Sequence, residues 1–177
     1  VLLDSPLTPE QRRHLDTVRQ SGRSLLRLLN EVLDTAKLEK GGVALELRDY
    51  SLLALVDELA STYGTHARAK GLHMAVQYDP QLPALLHGDE LRMRQVLGNL
   101  LDNAIKFTAS GSVSLAARLD DGQLHLLVQD SGIGIAPERR EAIFDPFVQA
   151  DASTTRRYGG TGLGTTISRQ LVTLMRG

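Results

Sequence analysis

The sequence predicts an α+β sandwich, with helices on one face of a sheet and a long helix preceding it. Segments whose apolar residues recur three and four apart are mixed with short runs of apolar alternation. Asp121-Gly122 lies between two such runs and is typical of a two-residue hairpin turn. Gly41-Gly42 follows the first helical segment. We therefore predict two domains, 1–41 and 42–177.

Composition narrows the classes of function. With 42% hydrophobic and 4% aromatic residues among 177, the core must be mainly aliphatic. A net charge of −1 gives no electrostatic reason to expect a nucleic-acid partner. No apolar run approaches the roughly 20 residues of a membrane span, so we expect a soluble chain that meets a membrane only through segments outside it. The absence of cysteine excludes disulfides and fits a cytoplasmic location.

The first predicted element is a helix that begins at 8–11. Thr8 and Gln11 have the spacing of a capping box, and Pro9 suits the first helical position. A heptad-spaced apolar seam follows, formed by Leu15, Val18, Gly22, Leu25, Leu29, Val32 and Ala36 and widened by Leu26 and Leu33. Such a seam fits a helix packed on its own domain, a bundle helix or a dimer helix.

The second domain contains helices and strands in alternation. From periodicity, caps and turn residues we predict strands at 43–47, 72–78, 112–119 and 123–129, and helices at 52–70, 89–107 and 165–175. Asp89 is the expected cap of the helix at 89–107, which follows a polar, proline-bearing connection at 79–88.

Three polar residues lie on one side of the helix predicted at 89–107. At about 100° per residue, Asn99, Asn103 and Lys106 fall within roughly 60° of one another. Amide oxygens are hard ligands that suit Mg²⁺, and the lysine ammonium binds phosphate as a point charge. The set therefore fits a magnesium–triphosphate surface, although a solvated helix face is the commoner role of such residues.

Two glycine clusters follow, one at each end of a polar loop. Asp130 ends a strand and offers a carboxylate to a purine amine, and Gly132 and Gly134 let the backbone pass close to a base; an ordinary turn is the alternative. The second cluster, 159–164, runs directly into the helix at 165–175. A glycine turn at a helix N-terminus attracts phosphate.

The loop between the clusters holds two phenylalanines and two arginines of interest. Phe144 and Phe147 stand in a mostly polar segment, where they either anchor the loop to the core or belong to a hinged lid. Arg156 and Arg157 are either solvated charges or cations within reach of a terminal phosphate.

These motifs, in this order, resemble the catalytic ATP-binding domain of sensor histidine kinases. Residues 99–108 are similar to the N box of that family, 130–134 to its first glycine box, 143–147 to its F box and 160–164 to its second glycine box. The resemblance covers nearly the whole chain. It implies the Bergerat (GHKL) two-layer sandwich shared with gyrase, Hsp90 and MutL ATPases, preceded by a bundle-type helix, with ATP and Mg²⁺ as ligands.

The resemblance also implies roles for individual residues. Asn103 would bind Mg²⁺, with Asn99 as a possible second ligand, and Lys106 would contact phosphate; these three form the catalytic set. Asp130 would hold adenine beneath a lid at 137–159. The implied ATP-binding residues are Asn99, Asn103, Lys106, Asp130, Gly132, Gly134, Phe144, Phe147, Arg156, Arg157, Gly160, Thr161, Gly162, Leu163 and Gly164.

One position separates a kinase from an ATPase. The ATPases of this fold resemble one another in carrying Glu four residues before the metal-binding Asn, as the base that activates water. Here Asn99 stands there, and a carboxamide cannot take up a proton at neutral pH. We therefore favour phosphotransfer to histidine. The alternatives are a regulatory pseudo-kinase that docks through the 8–40 helix and a hydrolase of the same fold.

The chain departs from the family in its phosphoacceptor. Family acceptors begin a His-Glu or His-Asp motif, whereas the five histidines here are followed by Leu15, Ala67, Met74, Gly88 and Leu126. Residues 8–41 look like the second helix of the dimerisation domain, which implies a homodimer through 8–40 and a response regulator or receiver domain as partner. We expect the acceptor upstream of Val1, little independent kinase activity and a solvent-facing His14.

Two further departures lie near the C-terminus. Relatives continue into a strand hairpin that completes the sheet, and without it an edge of the sheet would be open. Thr165-Thr166 stands where many members have an aliphatic and then a small residue. This variant resembles hybrid kinases, including fatty-acid quorum-sensing types, and implies the cytoplasmic portion of a membrane-anchored bacterial sensor.

Overall fold

The structure, a computed structural model, describes residues 5, 7–39, 42–146, 148 and 162–177. The chain forms two compact units, Val1–Gly42 and Val43–Gly177. In chain order the elements are α1 (Pro9–Glu39), β1 (Arg48–Tyr50), α2 (Leu52–Ala69), β2 (His73–Tyr78), β3 (Leu86–Gly88), α3 (Glu90–Phe107), β4 (Ser112–Asp120), β5 (Gln123–Asp130), the 3-10 turns Pro137–Arg139 and Ala142–Phe144, and α4 (Gly164–Leu174).

In its described residues the first unit is formed mainly by α1, and the start of this helix follows the predicted capping box. The Thr8 backbone N–H donates to Gln11 Oε1 at 3.0 Å, and the Gln11 N–H donates to Thr8 Oγ1 at 3.2 Å. Much of the apolar seam faces solvent in the single chain, with Leu25 67% and Leu29 53% exposed. His14 is exposed, as predicted.

The second unit contains a three-stranded sheet in the order β2-β4-β5. β4 and β5 are antiparallel, and the hairpin turn at Asp121 and Gly122 has φ values of 47° and 77°, as the sequence predicts. β2 pairs with β4 in parallel, a pairing that the hairpin signal in the sequence does not predict. The parallel pair follows from the crossover through α3, because parallel neighbours need a long connection. Within the described residues, β5 has no partner on its outer side.

One predicted strand is wrong and one strand was missed. Residues 42–47 have no regular structure, and the first strand begins only at Arg48. The Glu46 N–H donates to the Asp89 carboxylate at 2.9 Å, so this N–H cannot pair with a neighbouring strand. β1 pairs with β3, which lies in the stretch we assigned to a connection. Strands of three residues are recognised by the strand they pair with, and the local pattern of apolar residues does not predict that pairing.

The core of the second unit is aliphatic, as composition predicts. Helices α2 and α3 pack against each other and cover one face of the sheet. The largest fully buried side chains are those of Leu52, Leu55, Val56, Leu97, Leu101, Val113, Leu115, Leu163, Ile167 and Leu171, together with Thr108. The observed architecture is the predicted α+β sandwich. In the described part of the chain, no helix combines the length and hydropathy that a bilayer crossing requires.

Helix α3 is held at its start by its cap. The Asp89 side chain is 4% exposed and accepts from the Arg92 N–H at 3.0 Å, in addition to the bond from Glu46. One side of the helix is buried at Leu97, Leu101 and Ala104, the stripe expected from periodicity. This burial orients the polar side of α3, which carries the predicted site residues.

Candidate functional site

The candidate site is built along the polar side of α3. Asn99, Asn103 and Lys106 are all half-buried there. At about 1.5 Å rise per residue, the three span roughly 10 Å along the helix axis. A side that is half-buried and rich in amides can present oxygen ligands without full exposure to water. The first glycine turn and the described part of the second, residues 162–164, both meet this helix, one at each end of the polar side.

The second glycine turn is attached to α3 through Asn99. The Asn99 Nδ2 donates to the Gly164 carbonyl at 3.2 Å and to Ser168 Oγ at 3.4 Å. A Cβ atom at Gly164 would lie 3.7 Å from Asn99 Cγ, so the backbone passes directly over the amide. Gly162 has a φ of 71°, and Leu163 after it is 1% exposed. The start of α4 is thereby held against the middle of α3.

The N-terminus of α4 is suited to an anion. Leu163 occupies the N-cap position and makes no side-chain cap hydrogen bond, and the first turn of the helix contains no acidic residue. The first N–H groups of a helix have no partner within the helix and carry part of its positive dipole. In the described residues, therefore, no side chain of this turn competes with a phosphate for those groups.

The first glycine turn is attached to the C-terminal end of α3. The Ile133 N–H donates to the Phe107 carbonyl at 3.3 Å. A Cβ atom at Gly132 would lie 2.5 Å from that carbonyl oxygen, closer than a side chain can approach. The exposed Asp130 closes the turn, with its Oδ1 accepting from the Gly132 N–H at 2.8 Å. Gly134 has a φ of 68°. The carboxylate predicted to hold a base therefore lies beside α3.

Lys106 and Phe144 make contacts that the sequence did not predict. The Lys106 ammonium lies 4.8 Å from the centroid of the Phe107 ring, a cation–π contact. The Arg169 guanidinium lies over the ring of the half-buried Phe144, 5.5 Å from the ring centroid. Phe144 is thus anchored on α4. Phe147, Arg156, Arg157, Gly160 and Thr161 lie outside the described residues.

The unusual pair Thr165-Thr166 has two different environments. The Thr165 hydroxyl donates to the Ile143 carbonyl, so α4 is tied to the 3-10 turn that carries Phe144. Thr166 is 3% exposed, and its hydroxyl has no hydrogen-bond partner in the part of the chain that the structure describes. The first threonine has a clear structural role, and nothing in the described residues explains the hydroxyl of the second.

Two serines of the site were missed by sequence reasoning. Ser168 is 5% exposed and also donates to the Gly164 carbonyl, at 2.8 Å, which completes the contact with Asn99. Ser131 Oγ accepts from the Ser112 N–H at 2.9 Å and holds the first glycine turn to the start of β4. The only sequence signal for Ser168 is its position four residues after Gly164. This spacing indicates a site residue only once α3 is known to pack against the start of α4.

A cleft of about 320 Å³ lies at the other end of α3, away from the glycine turns. Its lining includes charged groups that pair with one another. Arg48 pairs with Glu46 at 2.8 Å, and Arg94 pairs with Glu90 at 2.9 Å. Both oxygens of Asp89 are already used as acceptors. We therefore assign the candidate site to the glycine turns and not to this cleft.

Comparisons with protein families match both units. Residues 88–177 match the family described as histidine kinase-, DNA gyrase B- and HSP90-like ATPase, and residues 1–41 match the His Kinase A (phospho-acceptor) domain.

Similar proteins are sensor kinases and signalling proteins. The autoinducer 2 sensor kinase/phosphatase LuxQ of Vibrio cholerae is 40% identical over 100% of this chain and 21% of its own length. The hybrid signal transduction protein dokA of Dictyostelium discoideum is 41% identical over 100% of this chain and 11% of its own. The chain thus spans about a fifth or less of these curated relatives.

Among solved structures, full-length ShkA in complex with AMPPNP superposes with a TM-score of 0.83 at 37% identity. The alignment covers 99% of this chain and 36% of ShkA. The fold, the two family matches and these likenesses agree with one another. The chain therefore belongs to the histidine kinase-, DNA gyrase B- and HSP90-like ATPase family, and its residues 1–41 match a phospho-acceptor domain beside it.

Proposed function

We propose that the second unit binds ATP with Mg²⁺ between the polar side of α3 and the two glycine turns. The observation that carries the proposal is the attachment of both turns to one helix, through Asn99 and through Phe107. About 12 Å of helix separates these two residues, so the two turns meet α3 at different points along its polar side. ShkA, which is similar over 99% of the chain, is a protein found in complex with an ATP analogue.

The residues of this site divide into a base end and a phosphate end. Asp130 accepts a hydrogen bond from the adenine amine, and Gly132 and Gly134 keep the floor of the base site free of side chains. Asn103 supplies a hard amide oxygen for the metal, with Asn99 as a possible second ligand. Mg²⁺ held by these amide oxygens would offset the negative charge of the phosphates.

The phosphate end is completed by the uncapped start of α4 and by lysine. The N–H groups after Leu163 face the phosphates, with Gly162 and Gly164 allowing close approach. Lys106 leaves the Phe107 ring and meets phosphate when nucleotide binds. By the family resemblance, Gly160 and Thr161 belong to this turn, and the lid at 137–159 brings Phe144, Phe147, Arg156 and Arg157 over the nucleotide.

We infer that the reaction is transfer of the γ-phosphoryl group to a histidine. The bond from the γ-phosphorus to the bridging oxygen breaks, ADP leaves, and a bond to an imidazole nitrogen forms. Asn99 has no proton-accepting group for water activation, and its amide nitrogen donates to the Gly164 carbonyl and Ser168 Oγ. The geometry therefore favours kinase chemistry over steady hydrolysis.

We further propose the role of this chain in the intact protein. Residues 1–41 act as the second helix of a dimerisation domain, and residues 42–177 form the catalytic domain. The protein is a homodimer through 8–40 and passes phosphate from a histidine outside this chain to an aspartate of a response regulator or receiver domain. It lies on the cytoplasmic side of the membrane, and any membrane anchor lies outside this chain. Among the similar proteins, dokA is described as a hybrid signal transduction protein, which fits a role in signalling.

The experiment is a calorimetric titration of the chain with an ATP analogue, with and without Mg²⁺. We expect Asp130→Asn and Asn103→Ala to abolish measurable binding, because each removes a direct contact. Asp120→Asn makes the same chemical change at the far end of the same hairpin and should bind like the parent. Full binding by both site variants would refute the site.

The competing functions give different results in related assays. A hydrolase of this fold would release phosphate steadily from ATP without any acceptor protein. A regulatory pseudo-kinase would bind nucleotide poorly and retain its docking through α1. We expect neither steady phosphate release nor labelling of any of the five histidines of this chain. Radiolabel on one of them would overturn the assignment of an external acceptor.

A further inference from the structure

The C-terminal end of α3 is held by a lysine from α2. Lys70 Nζ donates to the Ile105 carbonyl at 2.6 Å and to the Lys106 carbonyl at 2.8 Å. The next carbonyl, that of Phe107, accepts from the Ile133 N–H of the first glycine turn. The last carbonyls of a helix lack partners within it. Here three consecutive carbonyls are satisfied by groups from two other parts of the fold.

The backbone from which Lys70 projects is itself fixed. The Leu72 N–H donates to the Ala67 carbonyl at 2.9 Å, and the Gly71 N–H donates to the Arg68 carbonyl at 3.0 Å. These two bonds, with a φ of 77° at Gly71, form a Schellman motif that ends α2. Lys70 is therefore a C-cap residue with a defined position. Its ammonium reaches α3 from a rigid base, so that it can hold the helix end in place.

The helix end that Lys70 holds carries the candidate site. Asn103 lies two and three residues before the carbonyls that Lys70 holds, and the Lys106 side chain belongs to the same turn. Gly132 approaches the adjacent Phe107 carbonyl so closely that even a methyl group would not fit. A cation at a helix C-terminus is favourable because it faces the negative end of the dipole. Small displacements of such a turn matter, since binding depends on sub-ångström placement of its groups.

We propose that Lys70 is a positioning residue for the nucleotide site, acting through the last turn of α3. It sets where Asn103 and Lys106 stand relative to the first glycine turn, and it does not itself contact the nucleotide. The inference deepens the proposed function and rests on it. A purely structural lysine would change the stability of the whole unit and leave nucleotide affinity intact.

The test compares substitutions at the end of α2 in the full chain. Lys70→Met keeps the apolar stem and removes the donors, and we expect it to weaken binding of an ATP analogue by about three- to tenfold. Lys70→Arg retains a cation with several donors and should recover most of the affinity. Arg68→Met is the matched control, because the exposed Arg68 guanidinium donates to Thr65 on its own helix and not to α3 within the described residues.

A second measurement needs no substitution. In the unaltered chain, the Lys70 ammonium protons should exchange slowly with solvent by NMR, because two carbonyls hold them. Rapid exchange would overturn the inference even if Lys70→Met failed to fold. In the folded Lys70→Met variant, the amide signals of Gly132 and Ile133 should shift while those of the β4–β5 hairpin turn do not.

The outcomes separate this inference from the proposed function. If Asp130→Asn abolishes binding and Lys70→Met binds like the parent, the positioning role is wrong and the nucleotide site stands. If Asp130→Asn and Asn103→Ala both bind normally, the nucleotide site itself is wrong. A lowered melting temperature with unchanged affinity in Lys70→Met would also contradict the positioning role.

Discussion

Gly132 controls how closely the first glycine turn approaches α3. Its Cα lies against the Phe107 carbonyl, and a Cβ atom there would also meet Asp130 Oδ1 at 2.7 Å. The sequence predicts a close approach at this position, with a ligand as the expected neighbour. The neighbour in the structure is the chain's own helix end. The glycine therefore acts first by letting the base site form against α3.

Replacing Gly132 by alanine should disrupt the site. Because the added methyl group would overlap the Phe107 carbonyl, the turn must move away, at a cost of about 1–3 kcal/mol in unfolding free energy. We expect nucleotide affinity to fall by more than about tenfold. The measurements are urea unfolding and calorimetry.

Gly22→Ala is the control, because it should raise the free energy of unfolding where Gly132→Ala lowers it. Gly22 lies within α1, and among the described residues no atom beyond the backbone of its own helical turns lies within 4 Å of its Cβ position. Gly22→Ala should stabilise the helix by up to about 1 kcal/mol and leave nucleotide binding unchanged. Unaltered affinity in Gly132→Ala would show that the turn does not form the base site.

Among the secondary-structure elements, β2 and α2 are joined by a tyrosine. The Tyr78 hydroxyl donates to Asp57 Oδ1 of α2. Burial, together with this bond and the charge of Asp57, raises the pKa of Tyr78 to about 12. The pattern of apolar residues predicts both elements, with boundaries within a residue or two of those observed. It does not predict this bond, because residues 57 and 78 meet only when the helix packs on the sheet.

This link should weaken in alkali. The folded chain keeps the Tyr78 proton to higher pH than the unfolded chain, whose tyrosines titrate near about 10. The stabilisation of the folded chain by protonated Tyr78 is therefore complete below about pH 10, and it is lost as the pH rises through about 12. The difference in unfolding free energy between the parent and Tyr78→Phe should shrink over that window. A difference that stays constant up to pH 12 would contradict the assignment.

At the scale of the whole molecule, the apolar seam of α1 remains largely exposed to solvent in a single chain. Val18, Leu25 and Leu26 are each more than 60% exposed, an unusual density of large apolar groups on one helix. Sequence periodicity left three uses of this seam open. The family match of residues 1–41 to a phospho-acceptor domain supports a helical dimer.

We expect the seam to produce self-association of the full chain. Leu29→Glu places a charge in the seam and should reduce dimer formation measured by sedimentation equilibrium by at least about tenfold, since burying an unpaired charge is costly. Asn30→Glu adds the same charge at an exposed position about 100° round the helix and should associate like the parent. Equal association of both variants would exclude the seam as the interface.

The sequence by itself determined the long helices, the hairpin, the aliphatic core and the order of the glycine and amide motifs. These depend on local periodicity, caps and turn residues, as the capping box of Thr8 and the turn at Asp121 illustrate. Tertiary structure decided that β1 pairs with β3, that Asn99 holds the start of α4 and that Lys70 holds the end of α3. Each joins residues distant in the chain, and such contacts arise from packing, which local pattern does not record.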